Sequence, residues 1–281
     1  MLKANLIIFA LRAIGKLPLR AVHLIGMLLG WLVYLSSKSS AKRLKENLRE
    51  SHLCKDELDF RRTLRTNIGE SGKAVLETFA IWFKDYPKLK KWYVHCTGWH
   101  HVEDGLSQGK GIIFLTPHLG CFEITSLYFG QFYPITVLYR PPRQKWLMPL
   151  IHAGRERGKV KLAAANNQGV KLLLQALKRG EAIGILPDQA PLAGEGEWAP
   201  FFGRPAYTMT LASKLAEKTG AQVLMAFGER LHQGRGYHIH ISPVDNGKIG
   251  TPTALNMEIE RTIQLCPSQY LWMYDRYKVR R

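Results

Sequence analysis

Residues 116–123, TPHLGCFE, place His118 five residues ahead of Glu123, with Gly120 between them. An imidazole beside a carboxylate can act as a general base. The carboxylate accepts a hydrogen bond from one ring nitrogen, fixes the tautomer, and leaves the other nitrogen to take a proton. The chemistry this suits is a hydroxyl attacking an activated carbonyl. Backbone N–H groups around Leu119–Cys121 are expected to steady the negative charge that develops on the carbonyl oxygen. The same spacing also fits a histidine capping a helix with a glutamate exposed on its first turn, so the pair alone leaves both readings open. Cys121, inside the motif, reads as a small buried residue rather than an acyl-carrying nucleophile.

A pair at that corner needs a strand to deliver it and a helix to receive it. The stretch before, KGIIFL (110–115), is apolar and β-prone, and Pro117 closes it. Gly120 lets the chain turn into the amphipathic ITSLYFGQF, whose first turn favours the Glu123 carboxylate. Beyond it, GIIFLT, ITVLYR, AIGILP, AQVLMAFGER and YHIHISPV read as strands. GCFEITSLYFGQF, QKWLMPLIHAGRERG, NQGVKLLLQALKRGE, TMTLASKLAEKTG and TALNMEIERTIQLC read as helices. WYVHCTG alternates like a strand and HVEDGLSQG like a short helix. This rhythm predicts an α/β fold, a mixed sheet flanked by helices, over residues 96–281. Functional groups in such sheets gather where strands end and helices begin.

Residues 39–95 read as a helical region and residues 1–38 as a hydrophobic membrane anchor. The uninterrupted apolar run Leu24–Leu35 is shorter than the ~20 residues a spanning helix usually needs. Spanning length requires admitting Arg20 and His23, so the segment either crosses once with a snorkelling Arg20 or lies in the interface, and its plain reading is a buried core helix. Lys3, Arg12, Lys16 and Arg20 precede the run, and Lys38, Lys42, Arg43 and Lys45 follow it. Across the chain 40 Lys and Arg against 22 Asp and Glu give a formal charge of +18, which favours anionic partners. The four cysteines, Cys54, Cys96, Cys121 and Cys266, show no CxxC spacing and suggest neither a disulfide framework nor a zinc site. His152, His232, His238 and His240 lack a partner at useful spacing. YHIHI therefore reads as a strand with two same-face histidines rather than a metal site.

The HxxxxE motif after an apolar strand resembles the glycerolipid and lipid A acyltransferases. Further blocks narrow the resemblance to the late acyltransferases of lipid A biosynthesis, the lauroyl/myristoyl type. They are YRPP (139–142), GRERG (154–158), GVKLLLQALKRGEAIGILPDQAP (169–191), PFFGRPAYTMTLASKLAEKTGAQV (200–223) and CPSQYLWMYDRYKVR (266–280). With the anchor they cover nearly the whole chain in order. Two blocks depart from the family's pattern: Thr116 stands where Asn is frequent, and Tyr274 and Asp275 in WMYDRYK stand where WxHRRxK is frequent.

The resemblance implies a glycerolipid-acyltransferase-like fold and transfer of a fatty acyl group, lauroyl or myristoyl, from acyl-ACP to a hydroxyl of a lipid A precursor. It implies work at the cytoplasmic face of the inner membrane. A thioester donor is already activated, so no ATP, metal or other cofactor is expected beyond the acyl carrier protein's thioester as co-substrate. His118 would be the base, oriented by Glu123. For the phosphorylated disaccharide acceptor, Arg155 is the first candidate and Arg157 the second. Arg140 lies at the end of ITVLYR, and Asp188 and Gln189 follow another strand end in LPDQ. Arg204, in FFGRPA, is expected on a loop that lays aromatic rings beside the acyl path and faces phosphate. Gly120, where the backbone turns, is counted with these substrate-binding positions. Each also has a plain reading: solvated arginines, a turn-forming Asp188, ordinary core packing of FFGRPA.

Competing readings are transfer to another glycolipid or a lysophospholipid, a thioesterase with water as acceptor, and a non-catalytic basic membrane-bound protein that binds anionic lipid or nucleic acid. Nucleic acid is not expected as a partner, because aromatic residues are not arrayed as stacking platforms.

Overall fold

The computed structural model describes residues 2–142, 144–245 and 249–278, with side chains from Phe9 onward. Its centre is a seven-stranded sheet in the order β1-β9-β8-β2-β5-β3-β4. The strands are β1 (Tyr93–Thr97), β2 (Ile112–Leu115), β3 (Ile135–Tyr139), β4 (Val160–Ala164), β5 (Ala182–Ile185), β8 (Gln222–Arg230) and β9 (Tyr237–Val244). β2, β3, β4, β5 and β8 run parallel; β9 pairs antiparallel with β8 and parallel with β1. β2 and β5 are buried at every residue, as expected of central parallel strands covered on both faces. The alternation along β2 sends Ile113 and Leu115 into one core and Ile112 and Phe114 into the other.

The helices between strands are α6 (Trp99–Ser107), α7 (Phe122–Phe129), α8 (Met148–Arg155), α9 (Asn167–Lys178) and α10 (Leu211–Thr219), and α11 (Pro252–Leu265) follows β9. Local chemistry sets several starts. The Asn166 side chain accepts from Gly169 N at the head of α9, and Thr251 accepts from Ala254 N ahead of Pro252 at the head of α11. Two features escape the periodicity. β4 is a five-residue strand after GRERG. FFGRPA is not a loop but the turn of a hairpin between β6 (Gly196–Phe201) and β7 (Arg204–Met209). Phe202 and Gly203 both take positive φ there, 46° and 71°, as a two-residue hairpin turn requires.

Four longer helices precede the sheet: α1 (Leu2–Lys16), α2 (Leu19–Ser36), α3 (Lys38–Glu50) and α4 (Glu57–Phe83), with a short α5 (Tyr86–Leu89) after them. Asp56 caps α4 by accepting from Asp59 N, and Glu57 and Asp59 occupy its first turn. This helical layer is fastened to the C-terminal segment by buried amides. Asn67 donates to Ser268 O and Tyr270 O, and Asn47 donates to Trp272 O and Tyr274 O.

α2 is long and apolar enough, by length and composition, to cross a membrane. One face, with Leu19, Val22, His23, Gly26 and Gly30, is buried against α4. A Cβ on Gly30 would stand 2.1 Å from Ile68 O, and one on Gly72 would stand 2.0 Å from Gly26 O, so small residues set the approach of the two helices. The opposite face exposes Leu24, Leu28, Leu32 and Leu35 in a continuous stripe. Arg20 Nε donates to Gln233 O at 2.8 Å, in the loop between β8 and β9.

Candidate active site

The chain leaves β2 at Leu115, and Thr116 N donates to Ile185 O at the end of β5. His118 to Cys121 are then gripped from two sides. Leu271 N donates to His118 O, and Gly120 N donates to Gln269 O. Cys121 N donates to Gly228 O on β8 at 2.7 Å. Gly120 takes φ +58°, and a Cβ there would lie 2.1 Å from Gly228 O, so only glycine fits this crossing. Gly120 is therefore a turning point beneath the site and does not line the cavity.

These bonds correct the expected oxyanion donors. Leu119 N is turned to Pro117 O, and Gly120 N and Cys121 N are committed as above. The Cys121 thiol is buried and does not line the cavity, and burial pushes its pKa well above the usual thiol range.

The imidazole's carboxylate partner is also not the expected one. His118 Nδ1 meets Asp188 Oδ1 at 2.8 Å, and His118 N donates to Asp188 Oδ2 at 2.9 Å. Asp188 is 1% exposed. Burial alone would raise its carboxyl, but the charge and hydrogen bonds of His118 outweigh that and hold it below the ordinary value. An ionised Asp188 accepting from Nδ1–H leaves the Nε2 lone pair facing the cavity. The Gln189 side-chain nitrogen lies 3.0 Å from Nε2, and the Phe122 ring, 4.8 Å from the imidazole, packs beside it.

Glu123 faces Arg155 instead. Arg155, at the last turn of α8, donates through Nε to Glu123 Oε2 at 2.9 Å and through Nη2 to Glu123 Oε1. Trp82 Nε1 on α4 donates to Oε2 as well, at 3.2 Å. Glu123 is 4% exposed, and a bidentate arginine explains how a buried carboxylate is tolerated there. The reason for the correction is directional: Glu123 on the first turn of α7 points toward α4 and α8, while LPDQ delivers Asp188 across the β2–β5 strand ends to His118.

A cavity of about 500 Å³ opens at these groups and is lined by His118, Glu123, Arg155 and Gln189. Inward it is apolar, with Phe114, Phe129, Ile135, Val137, Ala226 and Ile241 among its walls. At its mouth stand Arg140, Asn166, Asn167 and Lys214, all of them exposed. The other two arginines named from the sequence are elsewhere. Arg157 donates to the carbonyls of Gly154, Ile81 and Lys84 and ties α8 to the end of α4. Arg204 stacks on the Tyr277 ring at 3.8 Å, with Nη1 3.3 Å from Asn47 Oδ1, and does not line the cavity. His152 has partners after all, in Glu156 at 2.8 Å and Tyr139 at 3.2 Å.

Three contributors carried no local signal. Trp82 sits forty-one residues from Glu123, and Lys214 looks like any exposed helix lysine. Arg230, at the end of β8, reaches Gly120 O with Nη2 at 2.6 Å. All depend on which elements become neighbours.

A family model described as bacterial lipid A biosynthesis acyltransferase matches residues 2–279. The lipid A biosynthesis lauroyltransferase of Escherichia coli (strain K12) is 27% identical over 275 residues, covering 94% of this chain and 88% of its own. The lipid A biosynthesis palmitoleoyltransferase of the same strain is 27% identical over 219 residues, 76% of this chain and 71% of its own. A lipid A biosynthesis acyltransferase of Haemophilus influenzae is 27% identical over 279 residues, 96% of this chain and 88% of its own.

Proposed function

The chain belongs to the bacterial lipid A biosynthesis acyltransferase family, and from that premise we propose that it moves one fatty acyl chain from acyl-ACP to a hydroxyl of a lipid A precursor. The observation that carries the reading is His118 locked to Asp188 at the mouth of a deep apolar cavity. The acyl chain lies inward along Phe114, Phe129 and Ile135. The thioester carbonyl then sits near His118, and the acceptor hydroxyl replaces the Gln189 amide at Nε2.

The hydroxyl oxygen attacks the carbonyl carbon as Nε2 takes its proton. The tetrahedral intermediate collapses, the C–S bond breaks, and the proton passes to the leaving thiolate. Arg155, held against Glu123 at the cavity wall, brings a cation to the same cavity and supplies positive charge where the backbone donors are used elsewhere. Arg140 and Lys214 at the mouth suit the acceptor's phosphates. The exposed leucine stripe of α2, with basic residues on both flanks, seats the protein in the inner-membrane interface on the cytoplasmic side.

The test is an assay of purified protein with lauroyl-, myristoyl- and palmitoyl-ACP, and with the matching acyl-CoA, on a tetra-acylated lipid A precursor, read by product mass. A gain of one acyl chain from the carrier-protein donor is the expected result. No gain with any donor from folded protein rejects the reading, and a gain only with acyl-CoA rejects the donor.

Chain length is expected to follow the walls of the cavity. Ala226, 3% exposed on β8, lines it beside Ile239 and Ile241 on β9. Ala226→Leu should shift preference to a shorter acyl chain, with discrimination of roughly 10-fold or more per methylene that no longer fits. Competition between donors of different length measures this, and an unchanged preference would place the end of the acyl path elsewhere.

A further inference from the structure

We propose that Glu229, His238 and His240 form a binding site for a divalent transition-metal ion of the Zn²⁺ class, on the face of the sheet opposite the acyl cavity. Two histidines at i and i+2 on one strand share a face, which YHIHI already implies. The register adds what the sequence does not show. Glu229 on β8 stands directly across from His238 on β9, so a carboxylate joins the two imidazoles. Their ligand atoms all lie within 4.8 Å of one another, and the three side chains are half-buried. The His238 and His240 rings are 4.0 Å apart, and His240 Nε2 is 2.8 Å from Glu229 Oε2.

A tetrahedral ion with bonds near 2.0–2.1 Å sets its ligand atoms about 3.3 Å apart. The cluster brackets that spacing, so occupancy needs rotamer adjustment and no backbone movement. Two imidazoles and one carboxylate are a donor set that suits Zn²⁺.

The surroundings hold the ligands in place. The Phe227 ring stacks on His240 at 4.6 Å and 10°. Thr97 Oγ1, on β1, lies 2.7 Å from His238 Nε2, which orients that ring and leaves Nδ1 for an ion. β9 is paired on both sides, by β1 and β8, so the platform is rigid. His95, in register with His238 and with its ring 5.6 Å away, borders the cluster on the β1 side.

Ile239 and Ile241, which alternate with these histidines along β9, line the cavity on the other face. An ion here therefore does not touch the reacting atoms. It would cross-link β8 and β9 and stabilise the folded chain by mass action.

The experiment uses the full chain without a polyhistidine tag, in detergent. Equilibrium dialysis against Zn²⁺ is followed by elemental analysis, and Co²⁺ titration by visible absorption. Wild type should hold one Zn²⁺ per chain, show the intense bands of a low-coordinate Co²⁺ complex, and melt at a higher temperature with Zn²⁺. Glu229→Gln should weaken binding at least 10-fold, and His240→Ala should abolish it, both with unchanged circular dichroism and acyl transfer. If His240→Ala lowers the fold's yield, Glu229→Gln and the Co²⁺ spectrum of wild type decide. No stoichiometric binding by wild type, or binding that both variants retain, overturns the proposal.

Discussion

His118→Ala is expected to lower acyl transfer roughly 10²–10⁴-fold with little change in donor binding, because the imidazole acts on the proton and the acyl chain is held by the apolar walls. Asp188→Asn should fall in the same range, for a reason specific to this geometry. The two Asp188 oxygens accept from two donors, His118 N and His118 Nδ1–H. An asparagine offers one acceptor and one N–H₂ group, so one of those donors faces another donor. Either the imidazole turns or its tautomer changes, and in both cases Nε2 no longer carries the lone pair toward the cavity. The loss should appear in kcat with KM nearly constant. Asp188→Glu, which keeps both oxygens but lengthens the arm, should recover less than a tenth of the rate. Because the Asp188 carboxyl is held below its ordinary 3.8, its contribution persists at all higher pH and fades only as pH falls through the lowered value. Wild-type kcat should therefore lose this group's contribution only at acid pH, below its ordinary 3.8. A His118→Ala variant that keeps most of the activity would remove His118 from the chemistry.

Much of the scaffold was legible because hydrophobic periodicity and strand-end position are local properties. β2, the turn at Gly120 and α7 follow from KGIIFL, a proline, a glycine and an amphipathic run. β4 was hidden because VKLAA alternates weakly and sits at the sheet's edge. The β6–β7 hairpin was hidden because Phe202 takes positive φ at its turn, which favours Gly, Asn or Asp. The site was legible as a set of residues but not as a set of pairs. His118, Glu123, Arg155, Asp188 and Gln189 all line or adjoin one cavity, yet sequence spacing joined His118 to Glu123. The structure joins His118 to Asp188, seventy residues away, and Glu123 to Arg155. Pairing depends on side-chain direction at strand ends, and one residue along a helix turns that direction by about 100°. The same limit concealed the roles of Arg157 and Arg204, whose partners are carbonyls and a ring on distant segments.

Arg230→Met is expected to cost about 3–5 kcal/mol of stability and to reduce transfer even in the molecules that remain folded. Arg230 is 4% exposed and joins three parts of the protein. Its Nη2 donates to Gly120 O in the His118 loop, Nε pairs with Glu77 on α4 at 2.8 Å, and Nη1 lies 3.4 Å from Glu70. Glu77 in turn accepts from Tyr237 Oη at 2.9 Å and lies 3.3 Å from His23 Nε2 on α2. The loop that presents His118 is thus tied through one buried cation to the helix that carries the leucine stripe. Removing the cation leaves the buried Glu77 with only Tyr237 and His23 as partners and takes the Arg230 donor from Gly120 O.

Acid supplies an independent reading of the same network. Burial would raise the Glu77 carboxyl above its unfolded value of 4.5, but Arg230 and His23 hold it down to about 2. Its stabilising contribution is then complete above pH 4.5 and lost as pH falls toward 2. Wild type should lose stability across that window, and Arg230→Met should have little of this component left to lose. The double variant Arg230→Met/Glu77→Leu separates the two roles, since it removes the buried charge as well as its partner. Urea unfolding should show stability largely restored, while kcat stays low because Gly120 O still lacks the Arg230 donor. Activity that returned together with stability would mean that Arg230 supports the fold and does not position the His118 loop.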